Sequence, residues 1–200
     1  MNKTLAVIGS AAVTATVLLF AVFLITGFTF GSYAVCMILP MGYIMMAEGL
    51  RLESAPDRRA AADLGMAFAV IYAVIILLVY FAQTTSLRSL GSEAAAILDY
   101  RRGGLMFNYD LLGYGMMALS TFFLGLSMRA KTRLTRWLST LLMLHGLFFF
   151  GCFIMPMTGA FRGMADGSES SGGTVALIAW CAYFLPIGAL ALAHFLKKEK

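Results

Sequence analysis

Charge is scarce in this chain. Only 12% of its 200 residues are Asp, Glu, Lys or Arg, against roughly 25% in soluble domains. Hydrophobic residues make up 60% of the chain, and several apolar runs exceed the ~18 residues that indicate a membrane span. A soluble domain of this size cannot bury so much apolar surface. The composition therefore predicts a polytopic membrane protein whose main partner is the lipid bilayer.

Residues that hold metals and cofactors are also few. The chain has three cysteines without a C-x-x-C motif, and its two histidines fall on different predicted helices. These counts argue against a disulfide framework, a zinc site and a haem held by paired histidines. We therefore predict no metal and no cofactor. A Cu(I) site at Cys36, Cys152 and Cys181 is a less favoured alternative to cysteines that simply fill space.

The common signatures of hydrolytic enzymes are missing as well. There is no G-x-S-x-G, no H-E-x-x-H and no pair of carboxylates inside an apolar run, so no catalytic residue is assigned. Basic residues are not interleaved with aromatic ones on a polar segment. We therefore expect no nucleic-acid partner.

Six apolar segments predict an all-α fold, a single bundle of six transmembrane helices over residues 1–200. The first segment is too long for the apolar part of a typical signal peptide. The long connection at residues 83–108 contains SEAAAILDYRR, whose helical spacing predicts a short interfacial helix, with a plain ordered loop as the alternative. The predicted spans cover about 5–26, 32–50, 61–82, 109–128, 137–158 and 174–195.

The basic residues predict the orientation of the bundle. With both termini on the same side, 11 of the 15 Lys and Arg residues fall on that side. Cytoplasmic loops carry the excess of positive charge in membrane proteins, so both termini are expected to be cytoplasmic. The short loops favour the bacterial cytoplasmic membrane, and the loop at 83–108 then faces outside.

Polar residues near the predicted outer ends define a candidate ligand pocket. Arg101 and Arg102 would attract or clamp an anionic ligand at its mouth. In the alternative, Asp110 only accepts hydrogen bonds from the first turn of the fourth span. In that alternative, an aromatic belt at the outer interface consists of Tyr33, Tyr80, Tyr109, Tyr114 and Trp180. The predicted rim consists of Gln83, Asp110, Tyr114, Trp180 and Tyr183.

One histidine falls near the middle of the fifth span. His145 lies at about the depth of Ser120 and Thr121 on the antiparallel fourth span. Ionisable residues at this depth usually point into the bundle. We predict a buried hydrogen bond from His145 to one of the two hydroxyls, and the alternative is a proton relay or a ligand contact.

Small residues recur on the first span. Ala11 and Ala15 are four apart, a spacing that lets helices approach closely. It favours packing within the bundle, or contact with a transmembrane partner or a second copy. Together with six spans and cytoplasmic termini, this step is similar to the substrate-binding subunits of energy-coupling-factor vitamin transporters. The resemblance implies an outward-opening pocket and a first helix that docks a partner, although GFTFGS is shorter than their usual first outer loop.

Three functions are compatible with these residues. The first is an outward-facing binder of a small molecule, or a transport-related subunit. The second is a membrane enzyme or redox protein that uses His145 or the cysteines of the outer half. The third is a structural or regulatory subunit without a ligand. The first agrees best with the predicted pocket.

Overall fold

The computed structural model describes residues 2–89, 97–161 and 171–197, with side chains from 174 onward in the last range. These residues are largely helical and include no β-strand, so the predicted all-α fold is confirmed. Short 3₁₀ turns occupy Pro56–Arg58 and Tyr100–Arg102. The α-helices are α1 (Asn2–Thr26), α2 (Thr29–Leu52), α3 (Arg59–Thr84), α4 (Ser86–Ser89), α5 (Leu105–Ser127), α6 (Arg133–His145), α7 (Phe148–Met157) and α8 (Ser171–Leu196).

Within the described ranges, six helical segments are long and apolar enough to cross a membrane. Five of them centre on α1, α2, α3, α5 and α8. The remaining one joins α6 and α7 over Arg133–Met157. The number of apolar segments and their order along the chain agree with the prediction.

The helices form a ring in chain order. The main packing partners are successive spans, and α8 closes the ring by packing against α1 and α6. We call the end of the ring that holds residues 84–89 and 97–104 the Gln83 end, and the opposite end, with residues 53–58, the Arg51 end. At the Arg51 end the Lys3 ammonium donates a hydrogen bond to the Lys197 carbonyl at 2.7 Å. The first and last described residues therefore lie at the same end of the bundle.

Salt bridges tie the loops of the Arg51 end together. The Arg51 guanidinium contacts the carboxylates of Glu48 at 2.7 Å and Asp63 at 2.9 Å. Arg129 pairs with Asp57 at 2.7 Å. Because these pairs are partly or largely exposed, water screens their charges and each contributes little to stability. They orient the loops more than they stabilise the fold.

Helices α1 and α2 pack unusually closely, and glycine makes this possible. A Cβ added at Gly9 would lie 2.6 Å from the Met45 Cβ and 2.7 Å from the Gly42 carbonyl. The residues of α1 that face the bundle include Ala6 and Ser10, which are both fully buried. Small residues on this face of α1 therefore serve packing inside the bundle.

The two alanines proposed for partner contact lie elsewhere on α1. Ala11 is half-buried and Ala15 is exposed. Their role towards a transmembrane partner or a second copy stays a prediction.

The fifth span differs from the single helix predicted at 137–158. Helix α6 ends at His145, a turn follows at Gly146 and Leu147, and α7 begins at Phe148. The Phe149 and Phe150 amides donate to the carbonyls of Gly146 and Leu147, three residues back. The tighter i→i+3 bonding marks a local change of helix geometry. The regular helix is thus interrupted one residue after His145 and well before Pro156.

The predicted interfacial helix is only partly within the described residues. Ser92, Glu93 and the alanines that follow lie outside them. After Ile97 and Leu98, the chain forms the 3₁₀ turn Tyr100–Arg102 and turns at Gly103 with a left-handed φ of 64°. This turn delivers the chain to the start of α5.

Candidate functional site

A glutamine at the Gln83 end fixes the described part of the loop to the bundle. The Gln83 side chain is buried near the end of α3. Its Nε2 donates to the Leu98 carbonyl at 2.7 Å, and its Oε1 accepts from the Tyr100 amide at 3.0 Å. Because the nitrogen and the oxygen of the Gln83 side-chain amide both form hydrogen bonds with the loop, the backbone at residues 98–100 is held in a defined position.

The side chain of Tyr100 in this loop extends into the bundle. Tyr100 is buried, and its ring lies 6.1 Å from that of Tyr33 on α2 and 6.1 Å from that of Tyr80 on α3. Its hydroxyl donates to Asp110 Oδ2 on α5 at 3.1 Å. Tyr100 therefore acts as a plug that fills the space between three helices and covers the Asp110 carboxylate.

Asp110 does not cap its helix, which corrects the alternative interpretation given above. Helix α5 begins at Leu105, four residues before the predicted start. Asp110 thus lies in the second turn, where the backbone amides have helical partners. Its side chain is 1% exposed and turns inward to Tyr100. A carboxylate placed in such a setting calls for a functional explanation.

An open cleft lies above this plug. It has a volume of about 260 Å³ and is lined by Thr29, Phe30, Tyr33, Gln83, Leu87, Arg88 and Arg101. We call it the outer cleft. The Arg88 guanidinium sits 5.4 Å from the centre of the Phe30 ring, a distance at which a cation interacts with an aromatic face. The cleft thus combines two cationic side chains with an aromatic and aliphatic wall.

Arg101 is positioned by its neighbour Asp99. The guanidinium contacts the Asp99 carboxylate at 3.0 Å, and the Arg101 amide also donates to Asp99 Oδ1 at 3.0 Å. Partial burial raises the pKa of Asp99, but the hydrogen bonds from the side chain and backbone of Arg101 outweigh burial and hold that pKa below its usual value. Arg101 therefore lines the outer cleft while it is held in position by its ion pair with Asp99.

Below the plug lies a cluster of buried polar groups from three helices. Asp110 Oδ1, the Tyr72 hydroxyl and the Tyr114 hydroxyl are buried and have no hydrogen-bonding partner among the described residues. The Cys36 thiol lies beside the hydroxyls of Tyr80 and Tyr114. Asp110 and Tyr114 are one turn apart on α5, so they share a face. We call Cys36, Tyr72, Asp110 and Tyr114 the buried polar cluster.

A second buried network surrounds the interrupted helix. Trp180 Nε1 on α8 donates to His145 Nε2 at 3.1 Å, and His145 Nδ1 lies 2.8 Å from Thr121 Oγ1. Thr121 also donates to the Ala118 carbonyl at 2.9 Å. Since an indole N–H can only donate, Nε2 is the acceptor and the proton of a neutral ring sits on Nδ1. The predicted bond from His145 to a hydroxyl of α5 is confirmed for Thr121.

Ser120 belongs to a separate network. The Tyr43 hydroxyl on α2 donates to Ser120 Oγ at 2.8 Å, and Ser120 donates to the Gly65 carbonyl on α3 at 2.6 Å. All three positions are fully buried. The two hydroxyls thus link three helices through the middle of the ring, and Ser120 serves packing specificity rather than the histidine.

The predicted rim residues are divided between three places. Gln83 and Arg101 line the outer cleft, whereas Arg102 is exposed and does not line it. Asp110 and Tyr114 belong to the buried polar cluster. Trp180 binds His145, and the Tyr183 hydroxyl donates to the Leu141 carbonyl at 2.8 Å. The rings of Tyr114 and Trp180, whose centres are 5.0 Å apart, connect the last two places.

The aromatic belt proposed as an alternative is wrong for three of its members. Tyr80, Tyr114 and Trp180 are at most 8% exposed and face the interior. Tyr109 is 45% exposed and is the member that suits a belt.

Sequence reasoning missed four residues that matter here. Arg88 and Phe30 meet across the cleft although 58 positions separate them. Tyr100 was expected on the short interfacial helix or in the ordered loop given as its alternative, and no local signal marks its insertion into the bundle. A signal did exist for Tyr72, because it and Tyr80 are eight residues apart and therefore share one face of α3.

The described residues hold no cluster of three or more His, Cys, Asp or Glu side chains suited to a metal ion. All three cysteines are free, with Cys36 and Cys181 buried and Cys152 half-buried. His145 has both ring nitrogens engaged by Trp180 and Thr121. A reacting group would have to displace one of these bonds to use the ring.

Comparison with known proteins supplies no further assignment. No protein-family model, no curated protein and no solved structure matches this chain.

Proposed function

We propose that this chain is an integral membrane protein that binds a small anionic, amphipathic molecule in the outer cleft, as a binding protein or as the binding subunit of a transport system. The observation that carries the proposal is the composition of the cleft. Arg88 and Arg101 provide positive charge, and Phe30, Tyr33 and Leu87 provide an apolar wall. Guanidinium groups bind carboxylates and phosphates well because several donors are held in a fixed plane.

Membrane insertion is supported by the outward faces of the helices. Large apolar side chains are exposed on every span, for example Ile25 at 69%, Leu78 at 66% and Phe150 at 57%. Water would make such a surface costly, whereas lipid tails match it. Exposed apolar side chains on every helix of a ring are typical of a lipid-facing bundle.

The distribution of charge supports the orientation. Several basic residues lie at the Arg51 end: Lys3, Arg58, Arg129 and Lys197. In membrane proteins, loops rich in positive charge face the cytoplasm. The Gln83 end with its cleft then faces outward. In bacteria, this would be the outer face of the cytoplasmic membrane.

The size of the cleft restricts its ligand. Small-molecule sites usually enclose about 300–1,000 Å³, and this cleft encloses about 260 Å³ and is open on one side. It suits a carboxylate or phosphate head with a short chain. A free metabolite and a lipid headgroup share this chemistry.

A transmembrane partner, in this proposal, contacts the side of α1 that carries the half-buried Ala11 and the exposed Ala15.

The test uses four probes with the same eight-carbon chain and different heads: octanoate, octyl phosphate, octylammonium and octanol. Binding to the purified protein in mild detergent is measured by isothermal calorimetry. We expect the two anions to bind and the other two probes to bind at least ten-fold more weakly. Equal affinity for all four heads would show a non-specific apolar surface and overturn the proposal.

Matched arginine variants locate the binding. Arg88→Gln and Arg101→Gln should each weaken anion binding about ten-fold or more, since charge-assisted hydrogen bonds contribute about 1.5–3 kcal/mol. Arg102→Gln is the control, because Arg102 is a neighbouring exposed arginine outside the cleft. An equal loss in all three variants would indicate general attraction of anions. Competition by nanodiscs rich in anionic lipid, tested alongside, separates a lipid headgroup from a free anion.

A further inference from the structure

We infer that the buried polar cluster is an internal water-binding site between α2, α3 and α5, separated from the outer cleft by Tyr100. The site does not depend on anion binding in the cleft. Its basis is the three buried polar atoms of Asp110, Tyr72 and Tyr114 that lack a hydrogen-bonding partner among the described residues.

The energetics make three such atoms in one place unusual. An unsatisfied buried polar group is costly because it has lost its hydrogen bonds to water, and native proteins pair the large majority of these groups with protein or ordered water. Each of the three residues is at most 8% exposed. A shared partner relieves all three costs at once, which separate surface waters cannot do.

The positions of the three atoms suit one local site. Tyr72 and Tyr114 have ring centres 5.7 Å apart, and Asp110 lies one turn from Tyr114 on the same face of α5. The Cys36 thiol and the Tyr80 hydroxyl border the same space. The neighbouring groups approach one another but leave these three atoms without hydrogen-bond geometry.

The chemistry favours water as the occupant. Asp110 Oδ1 accepts hydrogen bonds, whereas tyrosine hydroxyls both donate and accept. Water can do both, and buried waters typically make about three hydrogen bonds to polar groups that are otherwise unpaired. No lysine or arginine among the described residues contacts Asp110, so a cationic side chain does not fill this role.

Tyr100 separates this site from the cleft. Its ring lies between Tyr33, which lines the cleft, and Asp110, which its hydroxyl binds. Gln83 holds the backbone amide of the same residue. Exchange of water with the outer cleft therefore requires the Tyr100 side chain to move.

The experiment is radiolytic hydroxyl labelling of the full protein in detergent, read by mass spectrometry of peptides. Radicals formed from bound water oxidise adjacent side chains even where bulk solvent does not reach. We expect Tyr72 and Tyr114 to label several-fold faster than Tyr43. Tyr43 is the matched control because it is equally buried, lies 5.5 Å from the Tyr72 ring and has its hydroxyl paired with Ser120.

Labelling at the rate of Tyr43 would overturn the inference and show that the cluster satisfies itself through direct contacts. A second measurement uses water enriched in heavy oxygen, mixed with the protein shortly before irradiation. The label should enter the cluster slowly in the native protein and faster in Tyr100→Ala. Tyr100→Phe is the control, because it keeps the ring and should retain slow entry. Equal rates of entry in the native protein and in Tyr100→Ala would refute the role of Tyr100 as the barrier.

Discussion

The Trp180 indole on α8 donates a hydrogen bond to His145 on α6 across 3.1 Å, inside the bundle. His145 is fully buried, and its ring also lies 5.0 Å from that of Phe184. The same histidine is the last residue of α6, directly before the interruption at Gly146. One polar contact thus joins α8 to the point where the fifth span changes its helix geometry.

Replacing Trp180 by Phe should destabilise the protein. The variant leaves His145 Nε2 buried without a donor, at a cost of about 1–3 kcal/mol, and also loses apolar contact. Thermal unfolding in detergent measures the change. Tyr183→Phe is the control, because Tyr183 is only half-buried and its hydroxyl contacts a backbone carbonyl; a loss as large as that of Trp180→Phe would contradict the special role of the bond to His145.

The network of Tyr43, Ser120 and Gly65 predicts unequal effects of two substitutions. Ser120→Ala leaves the Tyr43 hydroxyl and the Gly65 carbonyl without their partner and should cost about 1–3 kcal/mol, whereas Tyr43→Phe should cost about 0.5–1.5 kcal/mol because Ser120 keeps Gly65. The double variant should lose less free energy of unfolding than the sum of the losses in the two single variants. Strictly additive losses would show that the hydroxyls do not interact.

Glycine packing between α1 and α2 predicts a strong position effect. Gly9→Ala places a methyl group 2.6 Å from the Met46 backbone nitrogen, and such overpacking costs about 1–3 kcal/mol. Gly151→Ala is the matched control, since a Cβ there meets nothing within 4 Å and alanine favours a helix by about 0.5–1 kcal/mol. The two variants should shift the unfolding temperature in opposite directions, and similar shifts would contradict the close approach.

The Gln83 side chain should control the order of the loop. Gln83→Leu removes both hydrogen bonds to residues 98 and 100 and should speed hydrogen exchange at the Tyr100 amide several-fold. Gln83→Glu keeps an acceptor for that amide and loses the donor to the Leu98 carbonyl, so its effect should be smaller. Unchanged exchange in Gln83→Leu would show that Tyr100 alone anchors the loop.

The pair of Asp99 and Arg101 predicts a pH dependence at the rim of the outer cleft. The pKa of Asp99 is lower in the folded state than its ordinary value of 3.8. Stability from the pair is therefore present above that ordinary value and is lost as pH falls through the lower, folded pKa. Hydrogen exchange at the Arg101 amide, corrected for its intrinsic pH dependence, should show this loss. Asp99→Asn should remove most of the dependence, and an unchanged pH profile in that variant would contradict the assignment.

A contact of His145 with a hydroxyl of α5 was predictable because it follows from the similar depth of these residues in neighbouring spans. Antiparallel neighbouring spans bring residues of similar depth together, and α5 and α6 are neighbours in the chain. The sequence could not distinguish Ser120 from Thr121, because adjacent residues on a helix differ by about 100° in direction. In the structure, the rotation of α5 places Thr121 next to His145 and Ser120 next to Tyr43.

The outer cleft was less predictable than this contact. Gln83 and Arg101 were expected near a pocket, but Asp110 and Trp180 were placed at the same rim and lie inside instead. Sequence gives the depth of a residue along a span and leaves its direction ambiguous when the whole helix is apolar. For Asp110, the decisive partner is Tyr100, whose position depends on a loop without a periodic pattern.

The amino-acid sequence by itself determined the all-helical architecture, the six apolar segments and the side on which positive charge collects, because hydrophobic length and charge are summed along the chain and need no knowledge of neighbours. Only the tertiary structure decided that Tyr100 covers Asp110, that Arg88 meets Phe30, and that Trp180 binds His145. Each of these contacts joins distant segments at a defined helix rotation. Close packing fixes that rotation, and the hydropathy of a nearly uniform apolar span does not encode it.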